Sequence, residues 1–463
     1  MSATPLHMSP AQLHDYLSRA RWFGGKGREF EVKEQRSVPL TESTWIELIE
    51  VSYPTGDQEC FQLPLVAYDW PQDRLSHALI EFVDGHAIYD AVHDREAMAV
   101  WLKGFAQRTR NGGLEFHLIG EPDLDLTAHS TLFQGEQSNS SVTFGESSQL
   151  KVFRKVTPGV NPDVEILEAL TTADCPHIAA LYGWVSLRDG DDTIHLAILQ
   201  EFIRTATEGW QVALASVRDL LAEGDLHPDE VGGDFAGEAH RLGMSICEIH
   251  LTMRNEMGEW TTDGTSLATS MLARLDSAIT AQPLIAEFRD QLSEMFNRMQ
   301  DIEEPIVTQR IHGDLHLGQT LRDTMAWKVV DFEGEPAKPL AHRQLPDSPW
   351  RDVAGMLRSF DYAARAAADD VDPMGNAATQ AQYRAAEWRA RNQAAFLAGY
   401  TEALGRELTP WEDTLLEAYA ADKTIYEAVY ETRNRPDWLH IPLDALRRIS
   451  TGQIREQHFD NPG

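Results

Sequence analysis

The chain is poor in cations, cysteines and long apolar runs. Forty Lys and Arg stand against 73 Asp and Glu, a formal charge of −33. Such a surface repels nucleic-acid phosphates and anionic membranes, so neither is an expected partner. It repels free nucleotide as well, so a site for a phosphorylated ligand must bring its own cations or a metal. The three cysteines, Cys60, Cys175 and Cys247, lie far apart with no CxxC or metal-ligand spacing and read as reduced, structural thiols. No segment approaches the ~20 apolar residues of a membrane span, and Met1-Ser-Ala-Thr-Pro-Leu-His-Met lacks the basic start and apolar core of a secretion signal. The expected location is the cytoplasm.

What is present is enough for more than one core. A chain of 463 residues with 42% hydrophobic residues exceeds a single domain and predicts two or three packed units. Helical spacing over 9–23 stops at Gly24-Gly25-Lys26-Gly27, strand-like runs follow at 45–53 and 61–68, and a helical stretch begins near 95. These mark a first unit, 1–90. Residues 114–202 alternate in the manner of a small sheet, crossed by one helix after Asn161-Pro162, and define a second unit, 91–204. From 205 to 463 the pattern is helical apart from short apolar runs at 306–311 and 326–330. There are no repeats and no low-complexity tract.

The most specific segment is Ile311-His312-Gly313-Asp314-Leu315-His316-Leu317-Gly318-Gln319, with Asp331-Phe332-Glu333-Gly334 beginning twelve residues after Gln319. Phosphoryl transfer needs a carboxylate beside the attacking hydroxyl and oxygen ligands that hold Mg²⁺ on the nucleotide phosphates. Asp314, Gln319 and Asp331 supply those groups on a strand–loop–strand frame. His312 and Asp314 could each cap an ordinary turn; the combined spacing favours the chemistry.

The run Gly135-Glu136-Gln137-Ser138-Asn139-Ser140-Ser141 reads as a small-residue hairpin whose backbone N–H groups, with Ser138, Asn139 and Ser140, can approach phosphates. It lacks the Gly-Lys-Ser/Thr ending of a P-loop and by itself is equally a plain turn. The strand Leu150-Lys151-Val152-Phe153 follows and makes Lys151 the candidate ATP lysine. Glu165, or failing it Glu168, on the helix opened by Asn161-Pro162 is its expected partner. The apolar run 197–203 ends the sheet where a kinase-like fold has its hinge, which places Gln200, Glu201 and Ile203 at the adenine. On the helical pattern 411–432, Lys423, Tyr426, Glu427 and Tyr430 share one face. Tyrosine rings pack on pyranose faces and charged groups bind hydroxyls, although spacing alone describes ordinary packing equally well.

This ordered set resembles the aminoglycoside-phosphotransferase-like branch of the kinase superfamily. Within it, the runs Arg21-Trp-Phe-Gly-Gly-Lys26, Asp331-Phe-Glu-Gly-Glu-Pro-Ala-Lys-Pro-Leu340, Asp347-Ser-Pro, Arg351 through Ala363, and Asp422 through Glu431 resemble bacterial maltokinases. The resemblance implies an α+β, bilobal, eukaryotic-protein-kinase-like fold with an N-terminal cap and a mostly helical C-terminal lobe. It implies ATP and Mg²⁺ as cofactors, transfer to maltose giving maltose 1-phosphate on the way to glycogen, and trehalose synthase as a protein partner.

By the same resemblance Asp314 is the base, Gln319 and Asp331 are the metal ligands, and Lys151 binds nucleotide. His316, Lys423, Tyr426, Glu427 and Arg435 contact the sugar, while His312 and Asp352 support the loop. The rival readings are a related sugar kinase, such as a glucosamine kinase, and a kinase-like regulator that binds without transferring phosphate.

Overall fold

The computed structural model describes residues 6–133, 138–223, 227, 230, 232–336, 338–371 and 376–451, the last segment without the side chains of 376–378. It forms two compact units, Met1–Glu168 with Ala179–Arg204, and Ala169–Ile178 with Thr205–Gly463.

Unit 1 opens with α1 (Pro10–Arg19). The Ser9 hydroxyl accepts the Gln12 N–H while the Gln12 side chain accepts the Ser9 N–H, a reciprocal cap ahead of Pro10. The helix stops short of the predicted 9–23 because Ala20 turns to extended backbone, φ −62° and ψ 128°. Phe23 then reaches the first sheet from a turn, its ring 5.0 Å from that of Phe61.

That sheet contains β1 (Glu31–Pro39), β2 (Thr44–Ser52), β3 (Gln58–Tyr68), β4 (Leu79–Val83) and β5 (His86–Asp90), all antiparallel, in the order β1-β2-β3-β5-β4. The runs read at 45–53 and 61–68 are β2 and β3. Strand β1 was invisible to that reading, since Val38 is its one buried residue. Helix α2 (Arg95–Ala106) starts on Asp94, whose carboxylate accepts the Glu96 N–H.

A second sheet follows from β6 (Arg110–Asn111), β7 (Leu114–Leu118), β8 (Ser130–Leu132), β9 (Asn139–Phe144) and β10 (Ser148–Phe153). After β11 (Lys155–Val156) and α3 (Pro162–Thr172) it is completed by β12 (Leu181–Asp189) and β13 (Asp192–Glu201). The order is β6-β7-β12-β13-β10-β9-β8, and β11 pairs back onto β3, which joins the two sheets. Strand β10 is interior, with Leu150 and Val152 fully buried.

Unit 2 is mostly helical. Its elements are β14 (Thr207–Glu208), α4 (Gly209–Ala222), α5 (Ala236–Met257), β15 (Glu259–Thr262), α6 (Gly264–Ala281), α7 (Arg289–Arg298), β16 (Ile306–Gln309), β17 (Thr320–Arg322) and β18 (Trp327–Val329). Helices α8 (Leu340–Arg343), α9 (Trp350–Asp369), α10 (Asn376–Leu404), α11 (Pro410–Asn434) and α12 (His440–Ser450) follow. The apolar runs predicted at 306–311 and 326–330 contain β16 and β18.

Helices α5 and α10 approach through glycine. A Cβ on Gly243 would lie 2.1 Å from the Phe396 carbonyl oxygen, and one on Gly399 would lie 1.9 Å from that of His240. The core beside this crossing is aromatic, with Phe235 and Trp388 5.9 Å apart and Phe360 and Phe396 5.7 Å apart. Truncating a residue such as Trp388 costs about 3–5 kcal/mol. Among the described residues no helix is long and apolar enough to cross a membrane.

Candidate active site

The segment from Ile311 to Gln319 joins β16 to β17 and lies along one face of α9. The Asp352 carboxylate, in the first turn of α9, accepts the backbone N–H groups of His312 at 2.8 Å and Gly313 at 2.9 Å. One turn on, Gly355 leaves room for the Leu315 carbonyl, which a Cβ would meet at 2.5 Å. One turn further, the Ser359 hydroxyl accepts the Leu317 N–H at 3.0 Å. Asp352, Gly355 and Ser359 recur at helical spacing, so the helix sets the path of the loop. Of the three, Gly355 and Ser359 were not singled out from the sequence.

Behind Asp352 stands His250, with Nε2 3.3 Å from the carboxylate and Nδ1 2.9 Å from the Tyr400 hydroxyl. Burial alone would raise the Asp352 carboxyl, but His250, the His312 charge and the loop N–H donors hold it below its ordinary value. His312 bridges the loop to the next strand: its Nδ1 accepts the Asp314 N–H at 3.3 Å and its Nε2 lies 3.0 Å from the Val330 carbonyl. Both sites named from the sequence as loop support, His312 and Asp352, are thus bonded within the loop or to it.

Asp331 has φ +67°, a left-handed conformation that costs a non-glycine residue about 1–3 kcal/mol and gathers at functional sites. The Gln319 Nε2 donates to the Asp331 carboxylate at 2.9 Å, which brings the two predicted metal ligands together. Gln319 Oε1 and the Asp331 carboxylate are hard oxygen donors of the kind Mg²⁺ takes, so the donor chemistry fits the ion. When bound, Mg²⁺ would neutralise phosphate charge there.

Asp314 faces α11. Its Oδ1 lies 2.9 Å from Lys423 Nζ, with side-chain exposures of 20% and 25%. Burial pushes the Asp314 carboxyl up, but the charges of Lys423 and His316, the Lys423 hydrogen bond and His312 overcome it and hold the group below its ordinary value. Lys423 is pulled down by burial and raised, on balance, by Asp314 and Glu427. Its ammonium lies 4.9 Å from the centre of the Tyr426 ring, and Tyr426 and Tyr430 stack at 6.3 Å. His316 closes the loop turn, its Nδ1 accepting the Gly318 N–H at 3.1 Å, and burial lowers its pKa.

Two further predicted sugar contacts, Glu427 and Arg435, are engaged in ion pairs. Glu427 turns inward: its Oε2 accepts from Arg358 Nε at 3.0 Å and Nη2 at 2.7 Å, and Arg358 also donates to Asp361 at 2.6 Å. Asp361 in turn receives Arg389 and Arg448. Glu427 is therefore a member of a buried ion network, because the i+4 position from Lys423 lies a fraction of a turn toward α9. Arg435, just past the end of α11, is held by Glu431 at 2.9 and 2.6 Å and packs between the rings of Tyr430 and Trp438.

Unit 1 carries the predicted nucleotide residues. Lys151 sits on the interior strand β10 between Ser141 and Ile198, so its ammonium requires a buried counter-charge. Asp163 provides one at 2.8 Å. Sequence reading named Glu165 and Glu168 and passed over Asp163, which lies at the second position of α3 with its own N–H donated to the Asn161 side chain. Glu165 and Glu168 lie further along α3.

The serine-rich turn is only partly seen. Gly135, Glu136 and Gln137 lie outside the described residues. Ser138 is exposed, Asn139 opens β9, and Ser140 is a strand residue rather than part of a turn. The Ser140 hydroxyl accepts from Arg154 Nε at 2.8 Å, while Arg154 also pairs with Asp90 at 2.7 Å, so Ser140 is committed to a buried cluster. Ser138 lines an open cavity of about 550 Å³ with Arg21, Trp22 and Lys26, cations of the kind the acidic chain requires beside a phosphate.

At the end of β13, Gln200 and Glu201 are laddered to Gln149 and Ser148, and the Glu201 N–H is donated to Ala180. Ile203 follows the strand, and its backbone N–H has no partner among the described residues.

Comparisons agree with this architecture. Residues 16–94 match the family model described as the maltokinase N-terminal cap domain. The chain is 27% identical over 421 residues to a glucosamine kinase of Streptacidiphilus jiangxiensis, covering 82% of this chain and 92% of that one. It is 26% identical over 322 residues to a glucosamine kinase of Mycolicibacterium smegmatis, covering 67% and 77%. A solved glucosamine kinase in complex with glucosamine, ADP and inorganic phosphate superposes with a TM-score of 0.69 at 18% identity, over 97% of this chain and 100% of that one. The fold is the α+β kinase-like fold with an N-terminal sheet lobe and a helical C-terminal region. The chain is thus similar in sequence to glucosamine kinases and has their kinase-like fold.

Proposed function

We propose that the protein transfers the terminal phosphoryl group of ATP to a hydroxyl of a sugar, and that its acceptor is glucosamine, the substrate named for its relatives. The observation that carries the reading is the Asp314–Lys423 pair at the head of the loop fixed by α9, beside the Tyr426–Tyr430 stack. Asp314 orients the attacking hydroxyl and takes its proton as the bond to phosphorus forms. Lys423 keeps Asp314 ionised, and the tyrosine rings offer an apolar wall to a pyranose face. Gln319 and Asp331 would hold Mg²⁺, and Lys151, kept in place by Asp163, would meet the nucleotide phosphates. The Ile203 N–H offers a hydrogen bond to adenine.

A second reading, maltose as acceptor, is favoured by the cap match at 16–94. On it the product is maltose 1-phosphate and trehalose synthase is the expected partner. ADP release with ATP and Mg²⁺ across glucosamine, maltose, glucose and trehalose, with products mapped by phosphorus NMR, separates them. Glucosamine turnover supports the first reading, an anomeric phosphate from maltose alone replaces it with the second, and no turnover with any acceptor overturns both.

A further inference from the structure

Unit 2 contains a cavity of about 210 Å³ that belongs to none of the groups described for phosphoryl transfer. It is walled by Ile306, Trp350, Leu404 and Trp411, and its inner end is formed by His250 and Tyr400. Protein interiors are packed to the density of organic crystals, and an apolar void of about 150 Å³ already accepts a benzene ring. This one is larger and aromatic, with the Trp350 and Tyr400 rings 5.5 Å apart.

Its edge carries two arginines, Arg254 and Arg406, and one carboxylate, Glu412. Arg406 is fully engaged, donating to both oxygens of Glu412 at 2.7 Å. Arg254 is not: its Nε lies 3.0 Å from Glu259, and its Nη donors have no partner among the described residues. A guanidinium with spare parallel donors is matched by a carboxylate.

We propose that this cavity binds a small aromatic carboxylic acid of one six-membered ring, the ring between Trp350 and Leu404 and the carboxylate on Arg254. Such a ligand lies against Tyr400 and His250, the two side chains that back Asp352, and Asp352 holds the N–H groups of His312 and Gly313. Occupancy therefore changes phosphotransfer through the loop, without contact with the acceptor. The effect on rate rests on the proposed phosphotransferase activity; the binding does not.

The test uses the full chain and benzoate and phenylacetate as probes, with binding followed by tryptophan fluorescence and saturation-transfer NMR. Saturable binding of either acid is expected, weakened about tenfold by Arg254→Gln, the size of one charge-assisted hydrogen bond. Benzyl alcohol should bind equally to both proteins. Leu404→Trp, which fills the cavity from its half-exposed side, should abolish binding of both acids. No binding at millimolar probe, or binding that survives Leu404→Trp, overturns the site. Binding with kcat and KM both unmoved overturns its link to the loop. Absence of any phosphotransfer, with binding intact, counts against the proposed function and not against the cavity.

Discussion

Lys423 and Asp314 stand 109 positions apart in the chain and 2.9 Å apart in space. The pair joins the carboxylate that would meet the attacking hydroxyl to a helix that would meet the sugar. Replacing Lys423 with Met leaves burial as the main influence on Asp314, so its pKa rises. The acidic limb of the kcat/KM profile should therefore move to higher pH. A limb that stays in place shows that Asp314 does not set it.

Asp314→Asn removes the proton acceptor and keeps the shape. Turnover should fall by about 10²–10⁴-fold, the usual worth of a positioned base. The thermal unfolding midpoint should remain close to that of the parent, as measured by calorimetry. Retained turnover would remove Asp314 from its role.

Asp352→Ala strips two backbone N–H groups and His250 of their acceptor. Urea unfolding should show a loss of about 2–4 kcal/mol, together with reduced kcat. The folded-state pKa of Asp352 is depressed, so its contribution is fully present above its unfolded value of about 4 and is lost as the pH falls toward the folded value. The stability difference between parent and variant should accordingly shrink in acid, and a difference independent of pH would contradict the assignment.

Glu427→Ala leaves Arg358 buried beside one carboxylate fewer. The expected cost is about 3–5 kcal/mol in stability, with KM for the sugar little changed in the folded fraction. A variant of normal stability with a raised KM would return Glu427 to the sugar.

The segments that form the candidate site could be read in the sequence because they are contiguous. The loop 311–319 and the turn at Asp331 could be read in order, and the structure joins Gln319 to Asp331 directly. What could not be read depends on which way a side chain points. Glu427 and Lys423 share a helical face by spacing, yet one enters an ion network and the other meets Asp314. Asp163 was passed over because nothing in a first-turn carboxylate distinguishes a cap from a counter-ion; only the burial of Lys151 on an interior strand does. Ser140 looked like turn chemistry, and strand pairing placed it under Arg154. Strand β1 escaped because an edge strand with a single buried residue has no period to detect.

The contacts of α9 along the loop have one more consequence. Asp352, Gly355 and Ser359 touch successive parts of it, so the loop borrows its shape from a regular object and has little shape of its own. Deleting one residue between Asp352 and Ser359 would rotate one end of that helix by about 100° against the other and break the register, although every residue of the loop itself would be intact. Variation that alters this protein's chemistry without touching its conspicuous motifs should therefore be sought in α9.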